Sequence, residues 1–459
     1  MNSESTSSAP AALIPSSVTS NGSAVTASSN VEYRNASATG EIPSYDGDDR
    51  ARATDFANYF CSYAQLYHQK QMLTDHKRME AYYDAIMGNA DVFRDKVVMD
   101  VGTGSGILAV WAAHAGARRV YAVEYTDMAN HARRLVEENG VGHVVTVIQG
   151  AVEDIDPQSL EGGKEAMECN DGCIDIIISE WMGYFLLRES MLDSLIRARD
   201  KFLKKNTGLM FPSHTTMYFA PVMDEEERKT SVKEYTSSMT DWNDFVESTK
   251  TMYGVDMGAL DSAFQREQKE YYLLSSRWCE LRMEQVLAEP CMVKYLDMCT
   301  CTLEESRGIL RGAPGSSFDF DVVGEDDDTA SSSLNPMPAR HAVVSGFSGW
   351  FTADFKSRTD ADGSMAPKIS HPTLLSTGPE NGYTHWGQQV FHLLSNIPVI
   401  RGQTTRIKGE LELARNKDNA RLYNCRVRFS TTRRRTGEPK AAGTVLMNGP
   451  VIETVYQIP

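Results

Sequence analysis

The feature that most constrains the fold is an alternation of strand and helix patterns between residues 96 and 203. Short apolar segments are each followed by a segment in which apolar residues recur every three or four positions, as on one face of a helix. The predicted strands are 96–100, 120–124, 144–149 and 174–179, and the predicted helices are 107–115, 128–139 and 187–203. Strands that alternate with helices at this spacing form a parallel sheet covered on both faces. We therefore expect a doubly wound α/β fold, with a polar surface loop at 156–172.

The pattern changes after Pro212 to short segments in which apolar and polar residues alternate. This alternation is typical of antiparallel strands that bury one face. The predicted strands are 215–220, 342–355, 389–394, 404–413, 421–430 and 451–457. Between 224 and 253 the apolar residues lie at helical spacing instead, and they are Tyr235, Met239, Trp242, Phe245 and Val246. The sequence therefore predicts a second, mainly antiparallel β domain with a helical insertion.

Composition and charge exclude several classes of protein. The formal net charge of −16 argues against a general nucleic-acid surface, which needs clustered Lys and Arg, so we expect no direct nucleic-acid binding. The sequence has no apolar run of the ~18 residues that a membrane span needs. The start of the chain lacks the apolar core of a secretory signal, so we expect a cytoplasmic or nuclear protein. The eight cysteines lack the paired spacing of zinc ligands, so we expect reduced thiols and no metal site.

A glycine-rich segment, Asp100-Val-Gly102-Thr-Gly104-Ser-Gly106, follows the first predicted strand. Glycines between a strand and a helix let the backbone approach a ligand closely and turn sharply. The alternative is a tight turn that serves packing alone. Glu124, at the end of the next predicted strand, favours a ligand site, because its carboxylate is placed to accept hydrogen bonds from both hydroxyls of a ribose.

Two glutamates flank a short apolar and aromatic segment after the fourth predicted strand. Glu180 leaves the end of that strand, where open α/β sheets bind their ligands, and Glu189 is predicted to open the following helix. Two converging carboxylates repel each other and therefore need a shared proton or a cation between them. A guanidinium is a planar cation that can donate a pair of hydrogen bonds to each carboxylate. The alternative for each glutamate is an ordinary surface charge.

The glycine loop and Glu124 resemble the first motif of S-adenosylmethionine-dependent methyltransferases, and the segment from Glu180 to Glu189 resembles the double-E loop of the protein arginine methyltransferase family. Further matches to that family are Tyr59-Phe60-x-x-Tyr63, Met72-x-x-Asp75-x-x-Arg78 and Thr384-His385-Trp386, so the likeness runs from about residue 56 to the C-terminus. The resemblance implies a Rossmann-like methyltransferase domain followed by an antiparallel β-barrel domain with a helical dimerisation arm. The implied division is helices that cover the cofactor at 46–90, the Rossmann-like domain at 91–211 and the β-barrel domain at 212–459, with the arm at about 225–252. Residues 1–45 are of low complexity and poor in large apolar residues, so we expect a disordered tail there.

The resemblance also implies roles for individual residues. Glu180 and Glu189 would bind the substrate guanidinium, and either Glu189 or the Asp75–His385 pair would remove the proton, unless Asp75 and His385 only clasp two domains together. The implied cofactor is S-adenosyl-L-methionine, with contacts from Tyr63, Gln69, Met72, Arg78, Asp100, Gly102, Thr103, Gly104, Glu124 and Glu153. The implied substrate contacts are Tyr59, Met182, Met191 and Trp386.

The resemblance is greatest to type I enzymes, which make monomethylarginine and then asymmetric dimethylarginine, and within them to the plant-type branch with a long arm. It implies a homodimer that acts on arginine-rich proteins such as histone tails or RNA-binding-protein tails. The negative net charge of the chain is expected to attract cationic targets. The alternatives are a non-catalytic scaffold of the same fold and a methyltransferase that acts on a substrate other than arginine.

Overall fold

The computed structural model describes residues 59–60, 63–324, 343–359, 365–366, 368–416, 419–437 and 445–459. The predicted tail at 1–45 and most of the segment before Tyr63 lie outside the described residues. Among the helices of the described chain, none is long and apolar enough to cross a membrane.

A parallel sheet organises the first part of the described chain. Its strands are β1 (Val97–Val101), β2 (Arg119–Glu124), β3 (Val145–Gln149), β4 (Ile176–Ile178) and β5 (Leu209–Phe211). They pair in the order β3-β2-β1-β4-β5, so the strand order reverses between β1 and β4. Ligands of open α/β sheets bind at the carboxyl ends of the strands at such a reversal. The predicted doubly wound α/β fold is confirmed.

The helices around this sheet are α1 (Leu66–Leu73), α2 (His76–Met87), α3 (Ala90–Phe93), α4 (Ile107–His114), α5 (Met128–Glu138), α6 (Gly163–Glu168) and α7 (Leu192–Phe202). Two predictions were wrong. Helix α6 lies inside the segment predicted as a loop, where it begins after the left-handed Gly162. Helix α7 begins at Leu192 rather than at 187, because Glu189 and Ser190 have φ angles of 82° and 57°, which an α-helix does not contain.

Two antiparallel sheets follow β5 in the described chain. Their strands are β6 (His214–Val222), β7 (Arg277–Cys279), β8 (Cys291–Asp297), β9 (Gly308–Ile309), β10 (Ser317–Val323), β11 (Val343–Phe355), β14 (Thr373–Ser376), β15 (Gln388–Pro398), β16 (Gln403–Arg415), β17 (Tyr423–Arg435), β18 (Met447–Asn448) and β19 (Ile452–Ile458), and a separate small pair is β12 (Arg358–Thr359) with β13 (Met365–Ala366). One sheet has the order β7-β15-β11-β6-β8 with β14 beside β11, and the other has the order β10-β16-β17-β18 with β9 beside β16 and β19 beside β17.

Aromatic side chains from both sheets form a common core. The ring of Phe219 on β6 lies 5.4 Å from that of Phe318 on β10, and the ring of Phe347 on β11 lies 5.3 Å from that of Phe429 on β17. Alternating burial along β17 places its apolar side chains on the inner face. The expected antiparallel β domain is therefore confirmed as a barrel-like pair of sheets that enclose one core.

The helical insertion is a hairpin of two helices, α8 (Glu225–Tyr253) and α9 (Asp261–Leu273), and a short helix α10 (Leu303–Ser306) follows β8. The rings of Trp242 and Phe264 stack at 4.2 Å, and the Trp242 Nε1–H donates to Asp261 at 2.8 Å. Part of the predicted apolar face of α8 is therefore covered by α9, which the sequence analysis did not predict. The side chain of Phe245 remains 44% exposed and that of Tyr253 73% exposed.

Candidate active site

The glycine loop that follows β1 is closely covered by two long side chains. Gly102 and Gly104 have φ angles of 73° and 55°. A Cβ atom at Gly102 would lie 2.3 Å from the Met191 Cε, and one at Gly104 would lie 2.8 Å from the Gln69 Oε1. The positive φ angles disfavour residues with a side chain, and a Cβ atom at either glycine would displace the end of the covering side chain. The structure thus brings the predicted residues Gln69 and Met191 onto the predicted glycine loop.

Two buried carboxyl groups lie at the ends of β1 and β2 beside this loop. The Asp100 Oδ2 accepts a hydrogen bond from the Thr103 hydroxyl at 2.5 Å, whereas its Oδ1 is buried without a well-formed hydrogen bond in the described part of the chain. Burial, with repulsion from Glu124, raises the pKa of Asp100 to about 7 although the Thr103 hydrogen bond opposes the shift. The Glu124 Oε2 accepts the Gly104 N–H at 3.0 Å, and its Oε1 accepts both the N–H and the hydroxyl of Thr126. The spare acceptor on Asp100 fits a ligand that brings hydrogen-bond donors.

Glu180 follows β4 and is held from two sides. Its Oε2 forms an ion pair with Arg78 on α2, with Nη2 at 2.9 Å and Nε at 3.1 Å. Its Oε1 accepts the N–H of Met182 at 3.1 Å. Arg78 also donates from Nη1 to the carbonyl of Met72 at 3.1 Å, so the segment between α1 and α2 is tied to the same group. Arg78, predicted to hold the cofactor, thus contacts Glu180 directly.

Glu189 is the second carboxylate of the site, and its side chain is only 15% exposed. Its Oε2 accepts hydrogen bonds from the hydroxyls of Tyr63 at 2.8 Å and Tyr59 at 3.1 Å, and its Oε1 lies 3.3 Å from the Arg188 Nη1. Burial raises the pKa of Glu189 and the negative charge of Glu180 adds to this, whereas Arg188 and the two tyrosines act in the opposite direction. The two predicted tyrosines therefore contact the second glutamate.

The backbone at Glu189 is held by Arg421, at the start of the segment leading into β17. The Glu189 N–H donates to the Arg421 carbonyl and the Arg421 Nη1 donates to the Glu189 carbonyl, both at 2.7 Å. The guanidinium of Arg421 also lies 4.1 Å from the centre of the Tyr59 ring and 5.0 Å from that of Phe60. Arg421 was not predicted, because a contact between residues 232 positions apart leaves no local pattern in the sequence.

The residues after Glu189 are anchored to the β domain as well. The Ser190 hydroxyl donates to the Ala420 carbonyl at 2.7 Å. Asp193, fully buried in the first turn of α7, forms ion pairs with Arg415 at 2.6 Å and with Arg307 at 3.3 Å. A buried carboxylate is stable only when it is paired in this way. These contacts fix the start of α7, and they too lack a signal in the sequence.

Asp75 and His385 form a link between α2 and the segment after β14. The Asp75 Oδ2 accepts the main-chain N–H of His385 at 2.8 Å and its Nδ1–H at 2.7 Å, while Asp75 Oδ1 caps α2 by accepting the Arg78 N–H. Burial alone would raise the pKa of Asp75, but the hydrogen bonds from His385 and Arg78 bring it below its ordinary value. The neighbouring Trp386 Nε1–H donates to the Met182 carbonyl at 2.7 Å. These contacts join the two parts of the molecule, and proton removal by the Asp75–His385 pair stays a prediction.

The remaining predicted residues occupy supporting positions. Met182 and Trp386 are buried, and the hydrogen bond between them supports the loop after Glu180. Glu153 is half-exposed, and its Oε1 lies 3.8 Å from the Arg197 Nη1 on α7. The predicted role of Glu153 near an adenine amine stays a prediction.

Two family models match the chain. Residues 213–434 match the arginine methyltransferase oligomerization subdomain, and residues 76–180 match the ribosomal protein L11 methyltransferase (PrmA) model. The first match spans the β domain with its helical hairpin, and the second spans α2, the glycine loop and Glu180.

Curated relatives match most of the chain. It is 40% identical over 395 residues to protein arginine N-methyltransferase PRMT10 of Arabidopsis thaliana, covering 85% of this chain and 90% of the relative. It is 42% identical over 376 residues to the protein of the same name in Oryza sativa subsp. japonica, covering 81% and 87%.

Solved structures give the same result. The crystal structure of Arabidopsis thaliana protein arginine methyltransferase 10 matches with a TM-score of 0.70 and 38% identity, over 87% of this chain and all of that one. The Trypanosoma brucei PRMT1 enzyme–prozyme complex with AdoHcy matches with a TM-score of 0.58 and 26% identity, over 87% and 100% of the two chains.

Proposed function

Because the chain belongs to the protein arginine N-methyltransferase family, we propose that it methylates arginine side chains of other proteins to monomethyl- and then asymmetric dimethylarginine. The observation that carries the proposal is that the carboxylates of Glu180 and Glu189 interact electrostatically, while Met191, two residues after Glu189, packs on Gly102 of the glycine loop. Both carboxylates pair with guanidinium groups of the chain itself, and Glu189 also with a phenol, which supports a guanidinium as their ligand.

S-adenosyl-L-methionine supplies an electrophilic methyl group on a sulfonium centre. The residues that would hold it are the glycine loop, Glu124 for the ribose hydroxyls and Asp100, whose buried Oδ1 lacks a well-formed hydrogen bond among the described residues. Arg78 would provide the positive charge that binds the carboxylate of S-adenosyl-L-methionine. The close packing of Met191 on Gly102 places an apolar wall beside the loop, which would exclude water from the reacting groups.

Glu180 and Glu189 would orient the acceptor arginine. A protonated guanidinium delocalises its nitrogen lone pairs and is a poor nucleophile. Carboxylates on one side of it concentrate the positive charge on the nitrogens they bind, and leave the opposite nitrogen more able to attack. Because charge builds up on the guanidinium as the new bond forms, two nearby carboxylates also lower the energy of the transition state.

We propose Glu189 as the group that removes the proton. Its carboxylate has a raised pKa, so it is a stronger base than an ordinary glutamate. For His385 we propose a positioning role, since its Nδ1–H and its main-chain N–H both donate to Asp75 and so hold α2 against this segment. Protonated Glu189 would keep hydrogen bonds from Tyr59 and Tyr63 on Oε2, and its proton would pass to solvent when the product leaves.

The proposed class of substrate rests on the net charge, and the proposed homodimer rests on the helical hairpin. The net charge of −16 favours encounter with cationic, arginine-rich segments such as histone or RNA-binding-protein tails, in the cytoplasm or the nucleus. The hairpin α8–α9 exposes aromatic side chains that a second copy of the chain would cover, which supports a homodimer.

The proposal is tested with purified protein, labelled S-adenosylmethionine, an Arg–Gly-rich peptide and the same peptide with Lys in place of Arg. We expect label in the arginine peptide alone, with asymmetric dimethylarginine as the final product by mass spectrometry. Glu180→Gln should abolish labelling, whereas Glu161→Gln, which changes an exposed glutamate paired with Arg118, should not. Label in the lysine peptide would instead support a methyltransferase that acts on a residue other than arginine. If neither peptide is labelled, the result would support a non-catalytic scaffold.

A further inference from the structure

The carboxylate of Glu189 is already in contact with a guanidinium of its own chain. The Nη1 of Arg188 lies 3.3 Å from the Glu189 Oε1, close enough for a charge-assisted hydrogen bond. The rest of the Arg188 guanidinium lies over the ring of Tyr184, 5.5 Å from its centre. A group of the same chemistry as the proposed substrate therefore occupies part of the acceptor site.

The hydrogen bonds to Glu189 show which of its oxygens a substrate can reach. Its Oε2 accepts from both Tyr59 and Tyr63, which uses the two lone pairs of that oxygen. Its Oε1 is bonded to Arg188. An incoming guanidinium must therefore bind at Oε1, either in place of Arg188 or directly beside this like charge.

We propose that Arg188 is an internal competitor of the substrate arginine, whose guanidinium occupies the Glu189 oxygen that the substrate binds and so weakens the affinity of the acceptor site. This inference rests on the proposed function, because it supposes that an arginine side chain is the acceptor. It makes Arg188 a determinant of affinity in the loop between the two carboxylates.

The contacts of Arg188 allow it to be displaced. Its Nε is buried without a hydrogen-bond partner among the described residues, so the guanidinium does not use all of its hydrogen-bond donors in this position. A buried donor without a partner costs free energy, which favours release of the side chain when another cation arrives. The side chain is 24% exposed, so it already reaches solvent on one side.

Arg188 also affects the ionisation of Glu189. The groups that face this carboxylate are Tyr59 and Tyr63 from the N-terminal segment, Glu180 from the end of β4 and Arg188 itself, while Arg421 binds the main-chain carbonyl. Arg188 is the positive charge that lowers the pKa of Glu189 against the effect of burial. Its removal should therefore raise that pKa, and the ionised form would then be lost at a higher pH than in the wild type.

The test compares the wild type with Arg188→Gln, which removes the charge, and Arg188→Lys, which keeps it. At a pH high enough to ionise Glu189 in all three, we expect Arg188→Gln to lower the KM for the arginine peptide about three- to tenfold, equivalent to about 0.6–1.4 kcal/mol. Its kcat should change less than twofold. The acidic limb of the kcat/KM profile should move to higher pH. Arg188→Lys should resemble the wild type in both respects.

Two further variants complete the experiment. Arg188→Met removes the charge but keeps the length of the side chain over Tyr184, so it should reproduce Arg188→Gln if the charge is responsible. Arg118→Gln removes an exposed arginine paired with Glu161 and should leave KM and the pH profile unchanged. An unchanged or increased KM in both neutral variants, with an active wild type, would overturn the inference and leave the proposed function standing. A wild type that does not methylate the arginine peptide would instead overturn the proposed function.

Discussion

Two acidic side chains of the site, those of Asp100 and Glu189, have raised pKa values, and burial is the largest cause of each shift. Asp100 has one hydroxyl partner and one oxygen without a well-formed hydrogen bond in the described chain, and its pKa is raised to about 7. Glu189 has two phenol partners and a guanidinium, which counteract part of the rise in its pKa. Ionisable groups whose environments shift their pKa values toward neutrality are typical of binding and catalytic sites.

The raised pKa of Asp100 predicts how stability depends on pH. Its ordinary pKa is 3.8, so the folded protein holds this proton more tightly than the unfolded chain, and the stability that the proton provides is lost as pH rises toward 7. The variant Asp100→Asn has no ionisable group at this position, so its stability does not decrease for this reason as the pH rises. Its free energy of unfolding relative to the wild type should therefore increase by on the order of 2 kcal/mol between pH 5 and pH 8.

Urea denaturation of both ligand-free proteins at the two pH values measures this difference. Asp171 provides a control, because hydrogen bonds from the Lys205 and Gly172 N–H groups hold its pKa below the ordinary value, so Asp171→Asn should show the same difference from the wild type at both pH values. A difference for Asp100→Asn that does not change with pH would mean that Asp100 titrates normally.

At the scale of elements, the segment between β4 and α7 depends on contacts with the β domain. Phe185, Leu186, Glu189 and Ser190 all have positive φ angles, which residues with side chains adopt at a cost of about 1–3 kcal/mol each. The hydrogen bonds from Arg421 and Ser190 stabilise this conformation. The same guanidinium packs on Tyr59, whose hydroxyl binds Glu189. The N-terminal segment, the loop and the start of β17 therefore position Glu189 together.

Arg421→Ala should misplace Glu189 without removing its charge. We expect kcat to fall by roughly 10–100-fold, because a shift of about 1 Å at a reacting group has effects of this size. The KM should change less, and Arg421→Lys should restore part of kcat by donating one hydrogen bond to the Glu189 carbonyl. Steady-state kinetics with the arginine peptide measure both constants.

The control is Arg428→Ala, which removes a half-exposed arginine of the following strand β17 that pairs with Glu453. Its kcat should equal that of the wild type. Equal losses for Arg421→Ala and Arg428→Ala, or no partial recovery with Lys, would show that Arg421 only contributes to general stability.

The sequence predicted the elements with strong periodicity and missed those shaped by distant contacts. Helices α4 and α5 end one residue before their predicted ends, because a continuous apolar pattern determines them. The start of α7 was misplaced, because contacts with Arg421 and Ala420, far along the chain, hold the left-handed residues before it. Helix α9 was missed, because it has few apolar residues and packs on α8 through Phe264 and through polar contacts of Asp261 and Gln268.

The site residues also divide into those with a local sequence pattern, which were predicted, and those positioned by distant contacts, which were not. The glycine loop, Glu124 and the two glutamates were predicted because the chemistry of each can be inferred from its neighbours in the sequence. The roles of Arg421, Asp193 and Arg415 were not, because a buried ion pair between α7 and β16 appears only once the chain is folded.

At the scale of the whole molecule, the α8–α9 hairpin extends from the β domain with exposed aromatic side chains. Phe245 is 44% exposed and Tyr253 is 73% exposed, and both lie on α8. Exposed apolar groups that cluster on one element usually mark an interaction surface. The residues of the hairpin also fall within the segment that matches the oligomerization subdomain model.

Phe245→Ser together with Tyr253→Ser should convert the proposed dimer into a monomer. Light scattering after size-exclusion chromatography at micromolar concentration should report twice the chain mass of 51.0 kDa for the wild type and that mass for the variant. Leu374→Ser, which changes a 58% exposed residue of β14 outside the hairpin, should remain dimeric. A monomeric wild type with full methyltransferase activity would contradict the homodimer.

The central claim is that Glu180 and Glu189 act on a guanidinium beside the methyl donor rather than on the donor itself. The most direct test is to measure kcat of Glu189→Gln with saturating arginine peptide and S-adenosylmethionine, together with the Kd of S-adenosylmethionine by calorimetry. We expect kcat to fall at least ~100-fold, the loss typical of removing one electrostatic stabiliser, while the Kd stays within about threefold. A variant that keeps kcat within tenfold of the wild type, or one that loses activity only because it no longer binds S-adenosylmethionine, would contradict it.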